Sequence, residues 1–204
     1  MNDNDALTRA WFDGSGPSLD APLPDVTDAA DAAGLLDVAY ATLDTPVGRI
    51  LLARTRRGLV QLSYLDGDED SVLETLAGRI SPRVLAAPKR LDQPRRELDD
   101  YFDGRRRRFE TPIDWQLSRG FTRRVLRATA RIPYGSVSTY KRVATQAGSP
   151  SAFRAAGNAL GVNPLPIIVP CHRVLHADGG LGGYTGGLER KRLLLAVEGW
   201  PGPR

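Results

Sequence analysis

One cysteine in 204 residues, Cys171, rules out an intramolecular disulfide, so the chain must be held by a buried core that its length is sufficient to supply. The same count excludes a cysteine-rich zinc site and leaves two uses for the thiol: a small buried hydrophobe or a single nucleophile. Its neighbours favour the second. Ile167-Ile168-Val169 reads as a short buried β-run, and Pro170 ends it by withholding a ladder donor. Cys171 is therefore expected where a strand gives way to a loop, beside His172, one of two histidines in the chain.

The residues before this segment divide the chain. Residues 1–36 are rich in Asp, Ala, Gly and Pro without a sustained period and read as a flexible acidic extension, with Trp11-Phe12 as an apolar docking point of unassigned place. Val38 to Asp44, Ile50 to Ala53 and Leu59 to Leu65 read as strands joined by turns at Thr45-Pro46-Val47-Gly48 and Arg57-Gly58. Helices follow over roughly Glu69 to Gly78 and Pro94 to Phe102, so residues 37–104 are expected to form a small α/β domain with an antiparallel sheet. Residues 105–118 read as a linker. Its Arg105 to Arg108 run is a solvated or ion-paired face on the plain reading and a DNA contact on the sharper one. From residue 119 to 204 the character is mostly helical, beginning with Phe121, Val125 and Ala128 at i, i+4 and i+7. The expected fold class is α+β.

Two short helices stand in tandem before the cysteine. Thr139 to Ala147 follows a cap at Ser138 and stops at Gly148; Ser149 then caps a second helix with Pro150 at its first position and Gly161 past its end. The spacing is that of a helix-turn-helix, in a winged-helix-like arrangement, although many tight helical pairs share it. Phe153, Ala156 and Leu160 read as the inward stripe of the second helix. Its outer side then carries Arg154, Asn158 and Gly161, with Gly157 alongside. A helix that reads bases in the major groove offers several long polar side chains. One arginine among small residues suits close approach to a minor groove with little base discrimination; a packed helix with a surface arginine is the alternative.

The charge is consistent with a polyanionic partner. The net value is +4, but residues 1–36 hold seven aspartates against Arg9 alone, a formal −6, leaving +10 on residues 37–204. No apolar run approaches bilayer length and no targeting signal opens the chain, so no membrane is expected and the place should be cytoplasmic.

From Asn163 through Pro164-Leu165-Pro166-Ile167-Ile168-Val169-Pro170-Cys171-His172-Arg173 to Val174, the sequence resembles the active-site segment of the methylated-DNA–protein-cysteine methyltransferases, which move an alkyl group from O6-alkylguanine in DNA onto their own cysteine. The likeness extends from about Phe121 to Trp200 and more weakly back to Asp37. It implies a catalytic set of Cys171, His172 and Glu198, linked as cysteine, water, histidine, glutamate, with Asn163 as the hinge joining the DNA-binding helix to the active-site loop. It implies DNA binding through Arg154, which fills the space of a flipped nucleotide, and through Tyr140, Ala155, Gly157 and Asn158. An alkylguanine pocket is implied at Tyr140, Pro166, Val174, Tyr184 and Thr185, with Cys171 and Val174 carbonyls accepting from the guanine amino group. His176 matches no functional position and reads as a surface histidine.

The residues themselves carry part of this chemistry. A free thiol is only a few per cent thiolate at neutral pH and needs a nearby base. Adjacent side chains in an extended segment face opposite ways, so a direct Cys171–His172 bond is not expected. A carboxylate at a helix C-terminus is disfavoured by the dipole, so Glu198 is either solvated or held by a partner. A thioether on Cys171 has no leaving route and no second thiol to receive the group. The resemblance implies an alkyl transfer that reverses damage at O6-alkylguanine, and by extension at O4-alkylthymine, and the lone thiol makes it single-turnover. Neither a metal nor an organic cofactor is implied. The expected partner is double-stranded DNA bound largely without sequence preference by a monomer, with cooperative assembly on DNA left open. A Cys-His-Glu hydrolase, a non-catalytic binder of alkylated bases and a methyl-sensing regulator are the rival readings, the last requiring a cysteine cluster this chain cannot build.

Overall fold

The structure is a computed structural model that describes residues 26–67 and 69–202. Trp11-Phe12 and the rest of residues 1–25 lie outside the described residues. Part of the expected extension is ordered by packing. Val26–Ala32 forms helix α1, and the following Leu36 is buried with Ala39 and Ala87 against Ala30. The alanine-rich composition masks this, because a helix with so few large residues shows little period.

Strands β1 (Val38–Thr45), β2 (Gly48–Thr55) and β3 (Gly58–Tyr64) form an antiparallel meander. Gly48 and Gly58 sit at φ of 97° and 139°, where a side chain is strained, and a Cβ on Gly58 would also run into the Pro112 carbonyl. Helix α2 (Glu69–Arg79) leads to β4 (Val84–Ala86), which pairs parallel to β1 and gives the order β3-β2-β1-β4. The sheet is therefore mixed, not purely antiparallel as expected. Three residues of strand are too few to show alternation, and the crossover through α2 sets the direction. Helix α3 (Asp92–Phe102) then covers the inner face.

Alternation along β1 and β2, with a bulge at Val60 that resets the phase of β3, divides the apolar residues between two faces. Leu51, Ala53 and Val60 pack with Val38 and Leu76 on one side. Ile50, Leu52, Leu59 and Leu62 face the other, where they join Leu98 and Tyr101 of α3 and residues from Val125 to Leu194 in one continuous core. Each leucine buried there contributes about 1.5–3 kcal/mol. The N-terminal sheet and the helical part are thus joined by apolar packing. The connecting segment is pinned too: Glu97 accepts from the backbone N–H of Glu110 and Thr111, and the arginine run pairs with acids, Arg105 with Asp100 and Asp103 and Arg106 with Glu110.

The helical part opens with α4 (Gly120–Thr129). A two-residue strand β5 (Ser138–Thr139) precedes α5 (Tyr140–Gln146), and α6 (Phe153–Gly161) packs across it. Ser138 is not the cap of α5. It is buried in β5, paired parallel with Val174 of β6 (Val174–Leu175), and Thr139 Oγ1 accepts from the Arg142 N–H instead. Helix α5 ends in a Schellman motif: Gly148 takes φ 79°, its N–H reaches the Thr145 carbonyl, and the Ser149 N–H reaches that of Ala144. The Ser149 N–H belongs to that stop, and α6 begins at Phe153, not at Pro150, without a side-chain cap. Helix α7 (Leu188–Val197) closes the fold with Glu198 as its C-cap. Among the described residues no helix is long and apolar enough to cross a membrane.

Candidate active site

Cys171 is placed by a chain that bends instead of extending. Residues 163–170 form successive turns, and Ile167 takes φ 72°, a left-handed conformation costing a β-branched residue about 1–3 kcal/mol. Asn163 holds the bend. Its Oδ1 accepts from the Leu165 N–H at 3.1 Å, and its Nδ2 donates to the Val169 carbonyl at 2.8 Å and to Cys171 Sγ at 3.1 Å. The Ile167–Val169 run is buried, but it is a turn where a strand was expected, because one amide side chain serves backbone groups that a ladder would have served. From β3, the Leu62 N–H donates to the Pro164 carbonyl at 2.8 Å and ties the segment to the sheet.

The cysteine opens a short 3-10 turn, Cys171–Arg173, and is 5% exposed. Burial pushes its thiol up to about 11, against the Asn163 hydrogen bond and the Lys191 charge, which lower it. His172 is fully buried, and burial holds its imidazole below the usual range against the pull of Glu198. Its Nε2 lies 2.8 Å from Glu198 Oε1, while its Nδ1 has no protein partner. Burial pulls the Glu198 carboxyl up, but hydrogen bonds from His172 and Arg173 outweigh it and hold the group down at about 2. An ionised Glu198 can only accept, so Nε2 carries the proton and Nδ1 presents its lone pair. The site thus holds a neutral base in the tautomer suited to taking a proton.

Glu198 is saturated with donors. Oε1 receives Tyr101 Oη at 2.7 Å and Arg173 Nη2 at 2.8 Å; Oε2 receives Arg173 Nε at 2.8 Å and the Gly135 N–H at 3.2 Å. This fork and the tyrosine overcome the unfavourable helix-end position. Sequence reasoning missed both groups. Arg173 stood inside the motif already singled out; Tyr101 carries no local signal, since it arrives from α3 through the fold.

Lys191, also missed, is fully buried in α7, and burial lowers it to about 8. Its ammonium donates to the carbonyls of Val174 (2.8 Å), Leu181 and Gly183 (3.3 Å), gathering the loop that leads from Cys171 to Tyr184. A lysine retained where the chain otherwise uses arginine, 25 times against three, was a readable signal.

Cys171 lies in the wall of a cavity of about 520 Å³, shared with Tyr140, Arg154, Gly157, Tyr184 and Thr185. Pro166 and Val174 are buried and do not line it; Val174, in β6, is paired with Ser138 and packs in the core. The Val174 carbonyl is engaged by Lys191 instead. Ala155 and Asn158 are exposed on α6 outside the cavity. Phe153, assigned to the inward stripe, is 44% exposed and lines the cavity mouth, while Ala159 takes its place inside with Ala156 and Leu160. Phe153 is the first residue of α6, and Arg154 Cζ sits 5.6 Å from its ring. His176 is exposed, but it also lines the cavity, its ring centroid 5.4 Å from that of Tyr140. Among the described residues no group of three metal-ligating side chains converges.

A buried thiol with an adjacent base, opening into a cavity at the foot of a helix-turn-helix, can be set beside known proteins. Residues 120–200 match the family model of the 6-O-methylguanine DNA methyltransferase DNA-binding domain, and residues 38–115 match that of its ribonuclease-like domain. A methylated-DNA–protein-cysteine methyltransferase of Mycolicibacterium paratuberculosis is 40% identical over 161 residues, 79% of this chain and 92% of its own length. The protein of the same name from Rattus norvegicus is 35% identical over 182 residues, 83% and 86% of the two chains. The crystal structure of Mycobacterium tuberculosis OGT in complex with DNA superposes with a TM-score of 0.67 at 37% identity, covering 79% of this chain and 93% of that one. Two adjoining family models, relatives spanning nearly their whole length and a shared fold agree with the geometry around Cys171: the chain belongs to the methylated-DNA–protein-cysteine methyltransferase family.

Proposed function

We propose that this protein repairs DNA by direct reversal, transferring the alkyl group of O6-alkylguanine to Cys171 once per molecule. The observation that carries the reading is that His172, its Nε2 bound to Glu198 and its Nδ1 without a protein partner, directly follows a thiol in the wall of a cavity large enough for a base. With its thiol near 11, roughly one molecule in 10⁴ is a thiolate at pH 7, so proton removal is part of the work to be done. His172 Nδ1 takes the proton, through a bridging water in our reading, and Glu198 stabilises the imidazolium. Sulfur then forms a bond to the alkyl carbon as the carbon–O6 bond breaks. The electron pair passes to guanine, which regains as its ring N–H the proton the thiol gave up. A thioether remains.

DNA is engaged by the outer face of α6 in this reading. Arg154, with Phe153 beside it, lies at the cavity mouth, where a long cation and an exposed ring suit a wedge entering the space of an extruded nucleotide. Tyr140 reaches the same cavity from α5 and supplies a hydroxyl to the bound base. Thr185 Oγ1 donates to the Gly161 carbonyl at 3.0 Å and so joins the pocket loop to the end of α6, leaving its backbone to meet the guanine oxygen. The basic balance of residues 37–204 supports sequence-independent duplex binding; that a monomer acts, in the cytoplasm and on O4-alkylthymine as well, is part of the same proposal. Cys171→Ser tests the reading: it should retain duplex affinity and leave the methyl group on DNA. Continued demethylation by this variant would refute it.

A further inference from the structure

The alkyl-transfer chemistry described so far uses nothing from the N-terminal sheet, yet the sheet reaches the pocket. Tyr64 closes β3, and its Oη lies 2.7 Å from Tyr184 Oη, with the rings 6.3 Å apart at 64°. Tyr184 in turn shares the cavity wall with Cys171 and stands edge-on to His172 at 6.4 Å and 87°. Burial raises both phenols, so each keeps its proton and one hydroxyl donates to the other.

Tyr64 is itself held from behind. Arg190 places its Cζ 4.4 Å over the Tyr64 ring, donates to the Val47 carbonyl at 2.6 Å and to both oxygens of Asp66, and reaches the Gly186 carbonyl at 3.2 Å. One guanidinium therefore grips the β1–β2 turn, the end of β3 and the pocket loop together. The fit leaves no slack, since a Cβ on Gly186 would run into the Tyr64 ring. A ring that only filled space would not need a hydroxyl paired with another hydroxyl at a cavity wall.

We propose that Tyr64 is a positioning residue for alkyl transfer: its hydroxyl fixes the Tyr184 ring, so the N-terminal sheet sets the wall against which the alkylated base meets Cys171. The inference rests on the function proposed above. Tyr64→Phe keeps the ring, its packing and the Arg190 stacking, and removes one hydroxyl. Single-turnover transfer should slow roughly five-fold, to the same degree with an O6-methylguanine duplex and with free O6-methylguanine base, while affinity for undamaged duplex stays unchanged. Tyr184→Phe should match it, and the double variant should be no slower than either, because the same bond is lost in all three. A Tyr64→Phe protein reacting at the wild-type rate, or single effects that multiply in the double variant, would overturn the proposal. That second outcome would mark any slowing as general loosening of the fold. A wild-type protein that accepts no alkyl group from either substrate would refute the underlying function, and this role with it.

Discussion

Replacing Glu198 by glutamine keeps the shape of the side chain and removes the charge on which five donors converge. The guanidinium of Arg173, 6% exposed, would lose its counter-charge, and breaking a buried pair from one side costs about 3–5 kcal/mol. A second route gives a similar figure: a carboxyl held at about 2 against its ordinary 4.5 stabilises the fold by about 3 kcal/mol. For a chain of this length the melting temperature should fall by on the order of 10 °C. The sign with pH follows from the depressed value. The contribution of Glu198 is fully present above pH 4.5 and is lost as the pH falls towards 2, so the gap between wild type and Glu198→Gln should be widest near neutrality and shrink in acid. Alkyl transfer should slow by at least about 100-fold, since glutamine cannot stabilise an imidazolium as a carboxylate does. Thermal unfolding of both proteins between pH 3 and 8 tests the chain of reasoning. A loss under about 1 kcal/mol at neutral pH, or a gap that stays constant into acid, would refute the clamp as a charge-bearing element.

Other perturbations separate the remaining parts. Asn163→Ala removes one acceptor and two donor contacts inside the bend; it should cost about 2–3 kcal/mol in denaturant unfolding and slow transfer, as the thiol loses a hydrogen bond favouring its charged form. Arg154→Ala should slow repair of duplex DNA by at least about ten-fold and leave reaction with free alkylguanine base near wild type, measured by single-turnover kinetics on the two substrates. The lowered His172 implies that wild-type stability begins to decline as the pH falls below about 6.5, before Glu198 titrates; a melting temperature flat between pH 7 and 5 would contradict a buried neutral imidazole.

What was legible in the sequence was what local rules govern. Alternation in β1 and β2, the glycines at Gly48 and Gly58, and the stop at Gly148 act within a few residues, and the corresponding elements lie within two or three residues of where they were read. The thiol, its histidine and the carboxylate at Glu198 were legible through a motif and a resemblance. Errors arose where distant parts decide. Ile167 to Val169 has the composition of a strand, but Asn163 folds it into a turn. Ser138 and Ser149 look like caps, but β5 pairing takes one and the Schellman stop the other. Phe153 has the apolar spacing of an inward residue, but it stands in the first turn of α6 beside the cavity and is left exposed. Tyr64, Tyr101 and Arg190 meet the site only after the sheet packs on the helical part, and no spacing in the sequence announces that.

The central claim is a stoichiometric transfer to one thiol, and intact-mass spectrometry with peptide mapping tests it most directly. After mixing with an excess of duplex containing O6-methylguanine, the account predicts one added methyl group per molecule, carried on Cys171, with repair halting at one equivalent. Repair continuing past one equivalent with an unmodified protein would contradict it and favour a hydrolase, and an unmodified protein that binds the lesion without repairing it would contradict it in favour of a damage binder.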